Sequence, residues 1–228
     1  MLTQTQHAAV RAAVGQAEQN TTGEILCVIA HESSPYREVP FAWAAVVALA
    51  GPPLALALGL KPSLLMAAFQ SDWVVAHAAA LDDAVTAALI GYAALQATLF
   101  VVVAAVASLP AVRRVLTPAS LKHQHVHERA MEQFFAQGLQ ATRERTGVLI
   151  FVSSAERRVE IIADEGIHGK VGSDAWDRAV AVAVKRIRAG DAVGGLLAAV
   201  EICGAVLAQH FPSDGAKGNQ LPDDVVEI

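Results

Sequence analysis

The chain has 228 residues, a formal net charge of −5 and 54% hydrophobic residues, with a mean hydropathy of +0.41. That is too apolar for an ordinary soluble enzyme. The acidic balance, with no basic stripe interleaved with aromatics, argues against nucleic acid as a partner.

Small and apolar residues at Ala9, Val10, Ala13, Val14 and Ala17 recur at three-and-four spacing, which predicts a helix over residues 2–19. The polar turn Asn20-Thr21-Thr22-Gly23 breaks it. "EILCVIA" (24–30) then reads as a buried strand, short, rich in branched residues and bounded by turn chemistry. Residues 1–40 show none of the basic, apolar and small-residue succession of a signal peptide.

Phe41 to Leu60 is twenty residues without a charge, and Val85 to Leu109 is twenty-five. A helix needs about 20 residues to cross a hydrocarbon core of about 30 Å, so both runs are expected to span a bilayer. Pro52 and Pro53 sit in the middle of the first and predict a kinked span, with a re-entrant loop as the alternative. The connection 61–84 suits either a short interfacial helix with Trp73 at headgroup depth or a plain hairpin loop. Basic residues near the outer flanks are Arg37, Arg113, Arg114, Lys122 and Arg129, against Lys61 alone in the connection. The positive-inside rule then puts both termini in the cytoplasm.

After the second run, Thr117 as N-cap and Pro118 at the first helical position predict a helix start. Val126, Ala130, Phe134 and Leu139 line one face of it, and Gly147 is the expected terminator. "VLIFVS" (148–153), a turn over Ser154 to Arg157, and "RVEIIAD" (158–164) predict an antiparallel hairpin. Gly166, Gly169 and Gly172 punctuate a loop before Ser173, the expected N-cap of a helix carrying Trp176. Asp191 caps the next helix, 192–209. It contains Glu201, Gly194 and Gly195, and reads as a helix packed on the sheet rather than a third span. Cys27 and Cys203 fall on an apolar strand and an apolar helix and read as reduced core residues.

Residues 1–40 supply one helix and one strand, too little surface to offset chain entropy alone. The expected architecture is therefore one split α/β domain, 1–40 plus 110–228, interrupted by an inserted transmembrane hairpin at 41–109.

This order of elements resembles the TPM domain family, through "GEILCVIA", "EQFFAQGL", "RTGVLIFVSSAERRVEIIADEGI", Trp176 and "RAGDAVGGLLAAV". It is similar above all to the short bacterial versions in which two spans interrupt the domain. The resemblance implies an α/β fold with a small central mixed sheet sandwiched by helices, and a place in the bacterial inner membrane. It further implies acid-phosphatase activity known for some members, divalent-cation (calcium) binding for others, and roles in assembling or maintaining membrane complexes. Many members have an Asn/Asp-rich turn before the strand matching "VLIFVS", where this chain has Arg145-Thr146-Gly147.

Asp164 and Glu165 follow a strand and precede a glycine loop, where open α/β sheets present ligands. They are the candidate metal ligands, for calcium or magnesium, with Asp174 and Asp191 as contributors if the fold gathers them. His123 and His127 share a helix face at i and i+4, and His125 points elsewhere. They read as a wet surface rather than a complete metal site. No nucleophile elbow, phosphate loop, dinucleotide fingerprint or paired CxxC occurs. The expected function is a membrane-tethered domain that binds the bilayer and another membrane protein; the alternative is a metal-dependent acid phosphatase.

Overall fold

The structure, a computed structural model, describes residues 2–59, 81–142, 144–172, 174–213 and 220–228. The expected interfacial segment around Trp73 and the expected N-cap Ser173 lie outside these residues. The chain divides into two compact units, Met1–Pro35 with Ala119–Ile228, and Tyr36–Pro118.

The first unit is built on a four-stranded mixed sheet in the order β3-β2-β1-β4. Its strands are β1 (Glu24–Ala30), β2 (Gly147–Ser153), β3 (Arg158–Ala163) and β4 (Val226–Glu227). β1 and β2 pair in parallel, from Glu24 opposite Gly147 to Ala30 opposite Ser153. β2 and β3 form the antiparallel hairpin, and β4 pairs in parallel with β1. Every residue of β1 and β2 is buried, because helices cover both faces, as parallel strands require.

Side-chain alternation sorts these two strands into two cores. Ile25, Cys27, Ile29, Val148, Ile150 and Val152 face one side. There they meet α1 (Gln4–Glu18), α7 (Asp174–Arg188) and α8 (Ala192–His210) through Val10, Val14, Ala183, Leu196, Val200 and Leu207. Leu26, Val28, Leu149 and Phe151 face the other, against Val126, Ala130 and Phe134 of α5 (Ala119–Ala136) and Leu139 of a short 3-10 turn. The apolar α8 thus lies on the sheet, with Leu196, Ala199, Val200, Cys203 and Leu207 fully buried.

In the second unit, α2 (Glu38–Ala57) packs along α3 (Leu81–Ala107), followed by α4 (Pro110–Leu116). Pro52 and Pro53 lie within α2, which continues through them. Phe41 stacks on Phe100 at 6.4 Å between ring centroids, and Trp43 Nε1 donates to the Leu116 carbonyl at 3.2 Å.

Two helix boundaries differ from the sequence reading. Thr117 is no N-cap: it closes α4, its hydroxyl and its amide both donating to the Arg113 carbonyl. Pro110, at the first position of α4, had already started a helix that the apolar run concealed. The α5 terminator is Gly138, with φ +76, rather than Gly147, which opens β2 as a strand residue. A left-handed backbone suits glycine, and it turns the chain into the 3-10 turn that seats Leu139.

Candidate functional site

The acidic corner sits where β3 runs into α6 (Glu165–His168). Asp164 is the N-cap of this one-turn helix, its Oδ1 accepting from the Glu165 amide at 2.7 Å. Its own amide donates back to the Gly147 carbonyl at 2.9 Å, so the corner is held by the hairpin partner strand. Gly166 is required here, since a Cβ would lie 2.5 Å from the Arg145 carbonyl oxygen and 2.6 Å from that of Glu144.

That close approach puts Arg145 over the two carboxylates. Its Nη1 lies 2.8 Å from Glu165 Oε2 and its Nη2 lies 3.5 Å from Asp164 Oδ1. Arg145 holds φ at +54, a conformation costly for a side chain with a Cβ. Asp164 is buried, and its Oδ2 lacks a hydrogen-bond partner among the described residues. The guanidinium supplies the charge that keeps such a carboxylate tolerable in a protein interior.

A calcium ion takes six to eight oxygen ligands, and magnesium a tight octahedron. Here the carboxylates already share a cation, and no group of three His, Cys, Asp or Glu side chains able to hold a metal occurs among the described residues. Asp191 instead caps α8, accepting from the Gly194 amide at 2.7 Å. The corner itself offers two carboxylates, both facing Arg145. The signal that could have found Arg145 is the Arg-Thr-Gly that stands where the resembling sequences have a polar acidic turn.

Of the three histidines, His127 Nδ1 lies 2.8 Å from Glu160 Oε1, joining α5 to β3. His123, four residues earlier, lines a cleft of about 530 Å³ along β3.

A second ionic cluster was not anticipated. The last strand is latched to the first helix: His7 Nδ1 lies 3.2 Å from Asp224 Oδ1 and Nε2 2.8 Å from Glu227 Oε1. Arg11 donates to Asp224, and the Leu2 amide donates to Glu227. The hydrogen bond His7 makes to Glu227, then that to Asp224, raises its pKa. Asp224 is held below the ordinary carboxylate range by Arg11 first and His7 second, and Glu227 by the Leu2 amide first and His7 second. Fully buried Glu24 adds a further anchor, accepting from the Gln220 and Leu221 amides at 3.4 and 3.3 Å.

Against known proteins, a TPM domain model matches residues 108–206. The match takes in α4, α5, the hairpin, α6, α7 and most of α8 and leaves out the central strand β1. Among solved structures, the NMR structure of the BA42 protein from the psychrophilic bacterium Bizionia argentinensis is similar. It is 19% identical with a TM-score of 0.57, covering 100% of this chain and 96% of that one. At that identity the likeness shows the fold. No curated protein matches. A TPM domain is present, on an α/β fold shared with that neighbour.

Proposed function

We propose that this TPM-domain chain is a membrane-tethered binding or assembly factor for another membrane protein, with its α/β unit and both termini on the cytoplasmic side of a bacterial inner membrane. The observation that carries the reading is the apolar helix pair that stands in the chain between β1 and β2. Among the described residues, three helices are long and apolar enough to cross a membrane. α8 is the one that lies on the sheet. The other two differ: the apolar window of α2 is 28% buried and that of α3 is 0% buried. Leu49, Leu89, Ile90 and Val101 each expose about two thirds of their surface, an apolar display that water penalises and lipid accepts.

A binding role rather than hydrolysis is supported by the acidic corner, where Arg145 already engages the carboxylates a metal would need. Orientation rests on the basic flanks, Arg37 before the pair and Arg113, Arg114, Lys122 and Arg129 after it, against Lys61 between.

The test is fractionation followed by capture. The chain is expected to stay with membranes through carbonate washing, to leave them only in detergent, and to recover a reproducible membrane partner after crosslinking in cells. Release by carbonate removes the tether. Phosphomonoester hydrolysis that is lost in Asp164→Asn replaces binding with catalysis.

A further inference from the structure

β3 is one of the two outer strands of the sheet, paired among the described residues with β2 alone. Because the Asp164 amide bonds the Gly147 carbonyl, antiparallel alternation turns the backbone groups of residues 158, 160 and 162 toward β2. Those of Val159, Ile161 and Ala163 turn outward. These three residues form the floor of the cleft of about 530 Å³. One wall is a stripe of α7 at four-residue spacing, Trp176, Val180, Val184 and Arg188. Its three apolar members are half-buried beside the core face of Ala179, Ala183 and Ile187. The opposite wall, toward α5, carries His123 and Arg158.

We propose that this open edge is the docking site of an extended segment from a partner protein, joining the sheet as a fifth strand, with apolar side chains alternating with acidic ones. The inference rests on the binding role above and names the chemistry of the partner. Main-chain pairing would come from Val159, Ile161 and Ala163, in the manner of strand addition to an open sheet edge. Successive residues of an added strand point to opposite faces. One set of side chains therefore meets Trp176, Val180 and Val184, and the other meets Arg158 and His123.

Charge selects the second set. On the wall toward α5, Arg158 and His123 line the cleft with Glu160, and Glu160 is already engaged by His127. Arg158 donates to a neutral carbonyl, that of Ala119, and makes no ion pair among the described residues. Acidic side chains complement this excess.

Geometry excludes a second copy as the occupant. Strands lie about 4.8 Å apart and packed helices about 8–10 Å apart. α7 packs directly on β3, so pairing β3 with its own copy would bring two α7 axes to within about 5 Å, inside the contact limit. An isolated strand brings no helix and fits beneath α7.

The test uses the full chain in detergent micelles and a labelled eight-residue peptide of alternating valine and glutamate. Saturable binding is expected, with at least tenfold slower amide exchange at Val159, Ile161 and Ala163. Binding should weaken at least tenfold for the alternately N-methylated peptide and for the valine-lysine analogue. Val180→Asp should weaken it as much while leaving the circular dichroism spectrum intact, and Arg158→Glu should shift preference toward the lysine peptide. No saturable binding, equal binding of the N-methylated peptide, or protection of these amides that grows with protein concentration alone overturns the proposal. Failure here leaves carbonate-resistant membrane attachment untouched, whereas a chain washed off membranes that still binds the peptide sinks the tether and not the groove.

Discussion

His7 and Glu227 meet at 2.8 Å, Nε2 to Oε1, and the pair joins the first helix to the last strand. Asp224 completes the contact from the same segment, and Arg11 faces it from the same helix.

This contact makes the docking of residues 220–228 depend on pH from both sides. His7 has a raised pKa, so its contribution is full below its ordinary value of 6.5 and is lost as pH rises through the raised folded value. Asp224 and Glu227 have lowered values, so theirs is full above 3.8 and 4.5 and is lost as pH falls through the lowered folded values. Protection of the Val225 to Ile228 amides, taken relative to their intrinsic exchange rate, should be greatest between about pH 4.5 and 6.5. His7→Ala should remove the alkaline limb and keep the acidic one.

Glu24→Ala leaves the Gln220 and Leu221 amides without their carboxylate and opens a hole at the start of β1. The expected loss of stability is about 1–3 kcal/mol, read as a lower urea midpoint. Glu24→Gln keeps both acceptor geometry and volume in large part and should lose less than half as much.

Chelator or added cation should leave the protein unchanged at the acidic corner. Because Arg145 holds Asp164 and Glu165, neither millimolar calcium nor EDTA is expected to move the melting temperature by more than about 1 °C. By contrast, Gly166→Ala forces the 144–145 backbone away from contacts of 2.5 and 2.6 Å. It should destabilise by about 1–3 kcal/mol, visible in the same melting experiment.

Neither thiol should be reactive in the folded chain. Burial pushes the Cys203 pKa up to about 12 and raises that of Cys27 further, with Cys203 as a secondary cause. Alkylation at pH 8 should therefore proceed at the rate of global opening, and the two cysteines should label together.

If α3 faces lipid, Val101→Lys places a charge well inside the span and should cost insertion about 2.5–3.5 kcal/mol. A glycosylation or protease-protection assay of membrane insertion reads this directly. The same change on a helix in water would move nothing.

The hairpin was legible because its cues are local: branched runs of the right length, a four-residue turn, and a boundary at Asp164. The central place of β1 was legible in part, since Glu24 to Ala30 is uniformly apolar after its first residue and only a strand covered on both faces is so. The C-terminal strand was not. Val226 and Glu227 are two residues with no periodicity, and what seats them is His7, Arg11 and Glu24, all about 200 positions away in the chain. Gly138 is hidden as the α5 terminator because Leu139 continues the apolar spacing, and a 3-10 turn can keep a side chain on the core after the helix has ended. At the acidic corner, Asp164 and Glu165 were visible as residues but their partner was not. An ion pair across twenty positions leaves no periodic trace, and Arg145 reaches it through a left-handed backbone that sequence does not display.

The parallel pairing of β1 with β2 sets a timetable for biosynthesis. Glu24 leaves the ribosome more than a hundred residues before Gly147, its neighbour in the sheet. Both long apolar helices emerge in that interval. A nascent chain therefore carries its future middle strand unmated until both helices have emerged, and a holdase has that whole interval in which to act.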